Sequence, residues 1–280
     1  MDVNKSRFLK LQAALIRKYA LEAIQAANSG HIGGSFSIAE ILSVLYFDRL
    51  NIDPKDPRKP DRDRFVLSKG HCTPTTYATL ALRGFLPLED LGTFRRIDSY
   101  LSGHMEMKHV PGVDMSSGSL GQGLSVAVGM ALAAQLDKLS YKVYVVAGDG
   151  EIQEGQIWEA AMAAGHFKLD KLRLFIDNNR LQLDGPVEKI MSIYPIEDKF
   201  RSFGWNTVLI NGNDVNEITK ALDEADSVKG KPTAIVAQTI KGRGVSVFEG
   251  EVRFHGGRPT AEEYAIAYRE LNQQIKELEG

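Results

Sequence analysis

The sequence predicts an α/β protein in three layers, a mostly parallel sheet covered by helices on both faces. Two observations carry that expectation. Apolar runs of strand length at Phe65–Leu67, Val143–Ala147, Leu172–Ile176, Val208–Ile210 and Ala234–Ala237 read as strands buried on both faces, without the polar alternation of a half-solvated sheet. Helix-length segments separate most of them, and strands alternating with helices imply parallel pairing through crossover connections.

The elements follow in order. Apolar residues at Phe8, Leu11, Leu15, Tyr19, Ala23 and Ala27, widened by Ile16, Ala20 and Ile24, mark a long amphipathic helix. Asn28-Ser29-Gly30 supplies its glycine stop and leaves His31 in a loop. Ser37 with Glu40 three residues on has capping-box spacing and opens a helix through Leu45. A charged, proline-containing connector from Asn51 to Arg64 leads into the strand at Phe65 and a loop bearing His71. Leu120 to Leu139, rich in Ala, Val, Met and Leu, reads as a largely buried helix whose positive end is the glycine-rich turn Gly118–Gly123. Glu154 to Phe167 and Val215 to Ala225 are further helical segments, and Thr260 caps a last amphipathic helix, Ala261 to Leu278. No repeat, low-complexity tract or linker interrupts the chain, so residues 1–280 are expected to form one domain.

Composition removes several function classes. Lys plus Arg total 34 against 36 acidic residues, a formal charge of −2, which gives no basic surface for nucleic acid or an anionic membrane. Any anion site must therefore be local. The apolar stretches are too short to span a bilayer and Met1–Lys10 lacks a signal-peptide core, so a cytoplasmic location is expected. The single Cys72 excludes an internal disulfide and a cysteine-based metal cluster, and its expected role is that of a small buried residue.

The chemistry concentrates where two apolar strands end. Val143 to Asp149 delivers an aspartate between Gly148 and Gly150, and the strand from Leu172 ends in Asp177-Asn178-Asn179. Either segment alone would read as a turn. Together, in an open parallel sheet that binds ligands outside the carboxyl ends of its strands, they outline a magnesium pyrophosphate site. Glycines allow close backbone approach to the phosphates, and bare N–H groups at a helix start add positive potential. Mg²⁺ takes hard oxygen ligands, usually one or two protein carboxylates plus phosphate oxygens, and Asp149 with Asn179 meets that need.

Further segments sharpen this. Ser29-Gly30-His31, Leu67-Ser68-Lys69-Gly70-His71, Ser102-Gly103-His104, Gly118-Ser119-Leu120-Gly121-Gln122-Gly123, Gly148-Asp149-Gly150 with Glu154-Gly155, Asp177-Asn178-Asn179 and His255-Gly256 occur in that order. In them, and over nearly all 280 residues, the chain resembles the transketolase family, specifically the diphosphate-binding (PP-type) amino-terminal half found in split, two-chain transketolases. The resemblance implies a thiamine diphosphate-binding fold, with Mg²⁺, or another divalent ion such as Ca²⁺ or Mn²⁺, held by the side chains of Asp149 and Asn179 and the carbonyl of Leu181. It also implies that Gly118, Ser119 and Leu120 run against the cofactor's rings, and that His71, Gly148, Asp149, Gly150, Asn179 and His255 contact the cofactor. Ser119 stands where many members have proline, and Lys69 replaces an asparagine common in one-chain members.

Cleaving a ketose beside its carbonyl needs an electron sink that no side chain supplies and thiamine diphosphate does, leaving protons and oxyanions to the protein. Four histidines beside glycines, His31, His71, His104 and His255, suit that work, because imidazole titrates near neutrality. The resemblance implies that His31 and His104 face the donor near its reactive carbon, with His71 and His255 near the diphosphate and thiazolium. His109 and His166 read as solvated or structural. Glu154 and Glu159 would by default be solvated helix residues, but the resemblance implies that Glu154 reaches across a subunit interface toward the partner's cofactor glutamate.

The family also needs a pyrimidine-binding domain, and the single helix after His255 is too short to build one. The expected protein is thus half an enzyme, active with a carboxy-terminal transketolase subunit in an α2β2 assembly, moving a two-carbon ketol unit from a ketose phosphate to an aldose phosphate in pentose phosphate metabolism. Alternatives are a subunit of a deoxyxylulose-phosphate synthase-like enzyme, against which Gly121-Gln122-Gly123 after Ser119-Leu120 argues, and a non-catalytic cofactor-binding module, against which the four histidines argue.

Overall fold

The computed structural model describes residues 1–280. Its core is one five-stranded sheet in the order β1-β2-β3-β5-β4 with every neighbouring pair parallel. The chain runs α1 (Val3–Ala27), α2 (Ile32–Ser37), α3 (Ala39–Val44), β1 (Arg64–Leu67), α4 (Thr73–Leu82), α5 (Gln122–Leu136), β2 (Val143–Gly148), α6 (Gly155–His166), β3 (Leu172–Asn178), α7 (Val187–Ile190), α8 (Ile196–Ser202), β4 (Asn206–Asn211), α9 (Val215–Ser227), β5 (Thr233–Gln238) and α10 (Ala261–Glu279). No helix is long and apolar enough to cross a membrane.

The apolar runs segregate by parity because successive strand residues point to opposite faces. Tyr144, Val146, Phe175 and Ile235 pack into one core with α1, α3, α4, α9 and α10, while Val143, Val145, Leu174 and Val236 pack into the other with α5, α6 and α8. The three expected layers are therefore present. The exception is β4, whose residues are mostly half-exposed and whose Leu209 is 52% accessible, because it is an edge strand covered only in part.

Helix boundaries depart from the expectation in instructive ways. The buried line of α1 is Leu9, Ala13, Ile16, Ala20 and Ile24, and Phe8 is exposed, so the residues that widen the stripe are its centre. Asn28, not Gly30, ends the helix in a left-handed turn at φ 49°, a conformation asparagine tolerates. Gly30 is instead required by packing, since a Cβ there would lie 2.6 Å from Ile24 Cγ1. Ser37 and Glu40 form no capping box. Ser37 Oγ donates to Asp177 Oδ2 at 2.7 Å, and the Glu40 carboxylate accepts from Arg17 at 2.5 Å and from Asn213 at 3.0 Å. Tertiary partners took both side chains. The helix expected over Leu120–Leu139 begins at Gln122 and is buried along one side only, with Val126 and Leu136 open to solvent. At the carboxyl end Thr260 and Glu263 do form a capping box.

Both sheet edges end on carboxylates. Asp114 Oδ2 accepts the outward N–H of Phe65 on β1 at 2.8 Å, and Glu217 accepts that of Asn211 on β4 at 2.7 Å.

Two glycines separate packing from propensity. A Cβ at Gly165 in α6 would meet the Phe203 carbonyl oxygen at 1.8 Å, whereas one at Gly129 in α5 meets nothing. Gly165→Ala is expected to lower stability by about 1–3 kcal/mol through overpacking, and Gly129→Ala to raise it by about 0.5–1 kcal/mol. Urea unfolding of the two variants checks this, and equal midpoints would refute it.

Candidate functional site

The carboxyl ends of β1, β2, β3 and β5 open onto one cleft of about 280 Å³. Lys69 follows β1, Gly148–Gly150 end β2, Asp177 and Asn179 end β3, and Lys241 follows β5. Parallel strands put these ends side by side, which is why residues far apart in sequence share a floor.

Asp177 is the hub of that floor. Its Oδ2 accepts from Lys69 Nζ at 2.6 Å, Ser37 Oγ at 2.7 Å and Asn179 Nδ2 at 3.0 Å, and its Oδ1 from Thr239 Oγ1. Burial opposes its charge, but the Lys69 ammonium and these donors outweigh burial and hold the carboxyl below its ordinary value. Burial likewise opposes the charge on Lys69, and Asp177 nevertheless holds it above the ordinary lysine value. Both members of the pair are therefore ionised. Lys69 Nζ also donates to the Gly34 carbonyl at 2.7 Å.

Asp149 lies beside this pair. Its Oδ1 accepts the Gly150 N–H at 2.8 Å and its Oδ2 the Arg180 N–H at 2.5 Å. Burial, then the nearby Asp177 charge, raises its carboxyl to about 7. Such a carboxylate gains from a cation. Asn179 Oδ1 accepts the Leu181 N–H at 3.1 Å while its Nδ2 is taken by Asp177, so the amide orientation is fixed with oxygen toward the loop. The Leu181 carbonyl accepts from Lys241 Nζ at 3.0 Å. One carboxylate, one amide oxygen and one carbonyl thus line one end of the cleft, a hard-oxygen set of the kind Mg²⁺ takes. No cluster of three His, Cys, Asp or Glu side chains has metal-holding geometry, so a metal here would rest on that mixed set. Gly148 keeps the neighbouring space open, since a Cβ would project into the cleft with Lys69 Cδ nearest at 3.7 Å.

Glu151, which no motif in the sequence singles out, pins the rim. Its carboxylate accepts from Ser68 Oγ, from the Gly121 N–H at 2.9 Å and from the Gly148 N–H at 2.9 Å. Burial raises its carboxyl despite these donors. The clasp joins the end of β1, the turn before α5 and the end of β2.

Three of the four selected histidines touch. Ring centroids of His31 and His71 are 5.1 Å apart, His31 and His255 5.7 Å, and His71 and His255 5.1 Å in a stack. Burial, then neighbouring titratable groups, lowers His31 to about 4 (His71 next), His71 to about 4 (Lys69 next) and His255 to about 3 (Lys241 next). All three are neutral near pH 7. Lys241 Nζ lies 3.1 Å from His255 Nδ1, and an ammonium cannot accept, so Nδ1 is the acceptor and Nε2 carries the proton. His31 Nδ1 has no partner. His104 stands apart at the mouth, exposed, its Cδ2 lying 3.3 Å from where a Cβ on Gly118 would be, and burial and then Arg95 lower it. Arg95, equally unmarked in the sequence, bridges the two histidine loops by donating to Ser29 Oγ at 2.5 Å and to the Gly103 carbonyl at 3.4 Å.

Ser119, Leu120 and Glu154 stand exposed at the rim, and Glu159 is exposed farther along α6. The exposed His109 pairs with Glu106, and His166 stacks edge-on with Phe167 at 4.9 Å. Cys72 is buried, as expected. Asp177 stood in the strand-end motif without a role of its own, and Lys241 could have been found by the rule that revealed Asp149 and Asn179, since it too follows a strand's carboxyl end.

Comparison with known proteins agrees with this geometry. Residues 9–276 match the family model described as transketolase, thiamine diphosphate binding domain. The chain is 48% identical over 266 residues to the 6-deoxy-6-sulfo-D-fructose transketolase subunit SqwG of Clostridium sp. (strain MSTE9), covering 95% of this chain and 97% of that one. It is 45% identical over 271 residues to one of the named subunits of the apulose-4-phosphate transketolase of Phocaeicola vulgatus, covering 97% and 96%. The crystal structure of Campylobacter jejuni transketolase superposes with a TM-score of 0.91 at 34% identity, over 99% of this chain but 46% of that protein, so the chain spans about half of a solved transketolase. By sequence and by fold, the chain belongs to the transketolase family, as a thiamine diphosphate binding domain of that family.

Proposed function

We propose that this chain is the diphosphate-binding subunit of a two-chain transketolase, and that with a carboxy-terminal subunit it moves a two-carbon ketol unit from a ketose phosphate to an aldose phosphate. The observation that carries the reading is the cleft itself: Lys241, an oxygen set suited to a divalent ion and the rings of His71 and His255 line one pocket at the edge of a parallel sheet, with His31 packed against both rings. Bound thiamine diphosphate supplies the electron sink for cleavage beside a carbonyl. The chain's part is to hold it and to manage protons. Lys241 provides positive charge for the diphosphate above the neutralised Lys69–Asp177 pair, while Asp149, Asn179 and the Leu181 carbonyl hold Mg²⁺ or a similar divalent ion. His31 and His104 meet the donor's hydroxyl and carbonyl oxygens, with His71 and His255 between substrate and cofactor. Neutral imidazoles there can accept a hydroxyl proton and return it, or donate to a developing alkoxide.

Relatives named as subunits match this chain almost end to end, while a transketolase twice its length matches over one half, which supports a partner chain. The complex is proposed to be α2β2, with residues 1–280 acting as one domain in the cytoplasm and Glu154, free at the rim, reaching toward the partner. The two relatives are named for different ketoses, one a sulfonate and one a phosphate, so the shared substrate feature is the ketose.

Donor-ketose cleavage is expected only when the chain is mixed with its carboxy-terminal subunit, Mg²⁺ and thiamine diphosphate. Full turnover by the chain alone would end the two-chain reading. In the complex, His31→Ala and His104→Ala should each lower kcat by roughly 10²–10⁴, with cofactor affinity changed no more than a few-fold. Glu154→Gln should weaken partner affinity or activity; no change in either would remove Glu154 from the interface.

The histidines also set an acid limit. Each of His31, His71 and His255 binds fewer protons folded than unfolded between its lowered value, about 3 to 4, and the ordinary 6.5, so stability is full above pH 6.5 and falls as pH drops toward 4. Asp149, raised from 3.8 to about 7, acts in the opposite sense and offsets part of the loss. Urea midpoints of the cofactor-free chain should therefore decrease from pH 6.5 to 5, less steeply in His255→Asn. A rising midpoint in the unsubstituted chain would contradict the buried neutral imidazoles.

A further inference from the structure

We propose that Lys241 is an internal competitor for the divalent-cation site, its ammonium occupying the Leu181 carbonyl oxygen until a diphosphate draws it away. The inference rests on the metal site proposed above and adds a coupling between the two halves of the cofactor complex. Lys241 Nζ donates to the Leu181 carbonyl at 3.0 Å and to the Gln182 carbonyl at 3.3 Å, with His255 Nδ1 as a third acceptor at 3.1 Å. Three uncharged acceptors around a buried ammonium, only 2% of the residue being accessible, form a small cation cradle.

The lysine is held there by construction. The Lys241 carbonyl accepts from the Gly250 N–H at 2.9 Å, and the Gly33 carbonyl accepts the Gly242 N–H at 2.9 Å. The stem passes over Gly33, where a Cβ would meet Lys241 Cγ at 2.8 Å and Cε at 2.9 Å. The glycine is what lets the side chain reach the loop that carries Leu181.

A divalent ion and an ammonium repel one another and seek the same oxygen, and the ion also takes Asp149, the carboxylate that most favours the lysine's charge, so metal entering alone leaves the displaced ammonium without a receiver. Phosphate oxygens provide that receiver. When a diphosphate enters, the ammonium can move from the two carbonyls to the phosphates, and the freed Leu181 oxygen turns to the metal. Metal and diphosphate then tighten one another's binding by the same factor, as linkage requires. The site would take the metal with the diphosphate and bind either poorly alone.

Mn²⁺ binding to the isolated chain, followed by the EPR signal of free Mn²⁺ with and without inorganic pyrophosphate, tests this. The unsubstituted chain should bind Mn²⁺ weakly alone and more tightly with pyrophosphate. Lys241→Met should bind Mn²⁺ alone roughly tenfold tighter than the unsubstituted chain, the scale of one hydrogen bond from a charged donor, and show a smaller gain from pyrophosphate. Lys241→Gln and Gly33→Ala, which respectively remove the charge and push the stem aside, should shift Mn²⁺ affinity in the same direction. Melting temperatures identify any variant that fails to fold, and one folded variant of the three suffices. If the folded variants bind Mn²⁺ alone no better than the unsubstituted chain, the competition is overturned while the metal site stands. If the unsubstituted chain binds no Mn²⁺ even with pyrophosphate, the metal site itself is overturned, and this inference with it.

Discussion

One carboxylate organises the functional edge. Asp177 takes donors from the end of β1 through Lys69, from α2 through Ser37, from its own strand end through Asn179 and from the end of β5 through Thr239. A buried carboxylate without a counter-charge is costly, and removing one member of such a pair leaves the other uncompensated. The requirement to satisfy Asp177 therefore fixes where Lys69 sits and which way the Asn179 amide faces, and through Asn179 the loop to Leu181. The floor of the cleft is a single satisfied network, and its residues are not separately placed.

Within that network charges are sorted by purpose. Lys69 and Asp177 neutralise one another below the surface, and Glu151 is satisfied by three donors at the rim. What remains for a ligand is Lys241 and Asp149, one positive and one negative, in a cleft that the neutral His71 and His255 also line. A diphosphate carrying a divalent ion has the complementary pattern. Burial keeps the imidazoles neutral, which spares the cavity a positive charge; His255 Nδ1 already accepts from Lys241, while His31 Nδ1 is left without a partner.

The sheet and the two strand-end motifs were legible in the sequence because they depend on local rules: doubly buried strands are apolar throughout, and glycines mark the turns where backbone meets ligand. Asp149, Asn179 and the four histidines could be picked out for the same reason. The misreadings share a different cause. Ser37 and Glu40 had the right spacing for a cap, but partners more than twenty residues away, Asp177 and Arg17, claimed them. Spacing shows what a side chain can do locally and is silent about what the fold brings near it. Glu151 and Arg95 were invisible on the same grounds, since a glutamate after Gly-Asp-Gly and an arginine in a turn look solvated until three loops close around them. The half-open α5 shows the converse: a segment apolar on every side signals burial, yet within one chain only one side is covered.

The carboxylates on the sheet edges have a consequence for assembly. An exposed parallel edge is a template for a foreign strand, and proteins blunt it with charge. Here Asp114 occupies the outward N–H of Phe65 and Glu217 that of Asn211, so an incoming strand would have to displace an anion at either border. The sheet is thereby protected against growing from molecule to molecule, and association is directed away from main-chain pairing to the surfaces of its helices and loops.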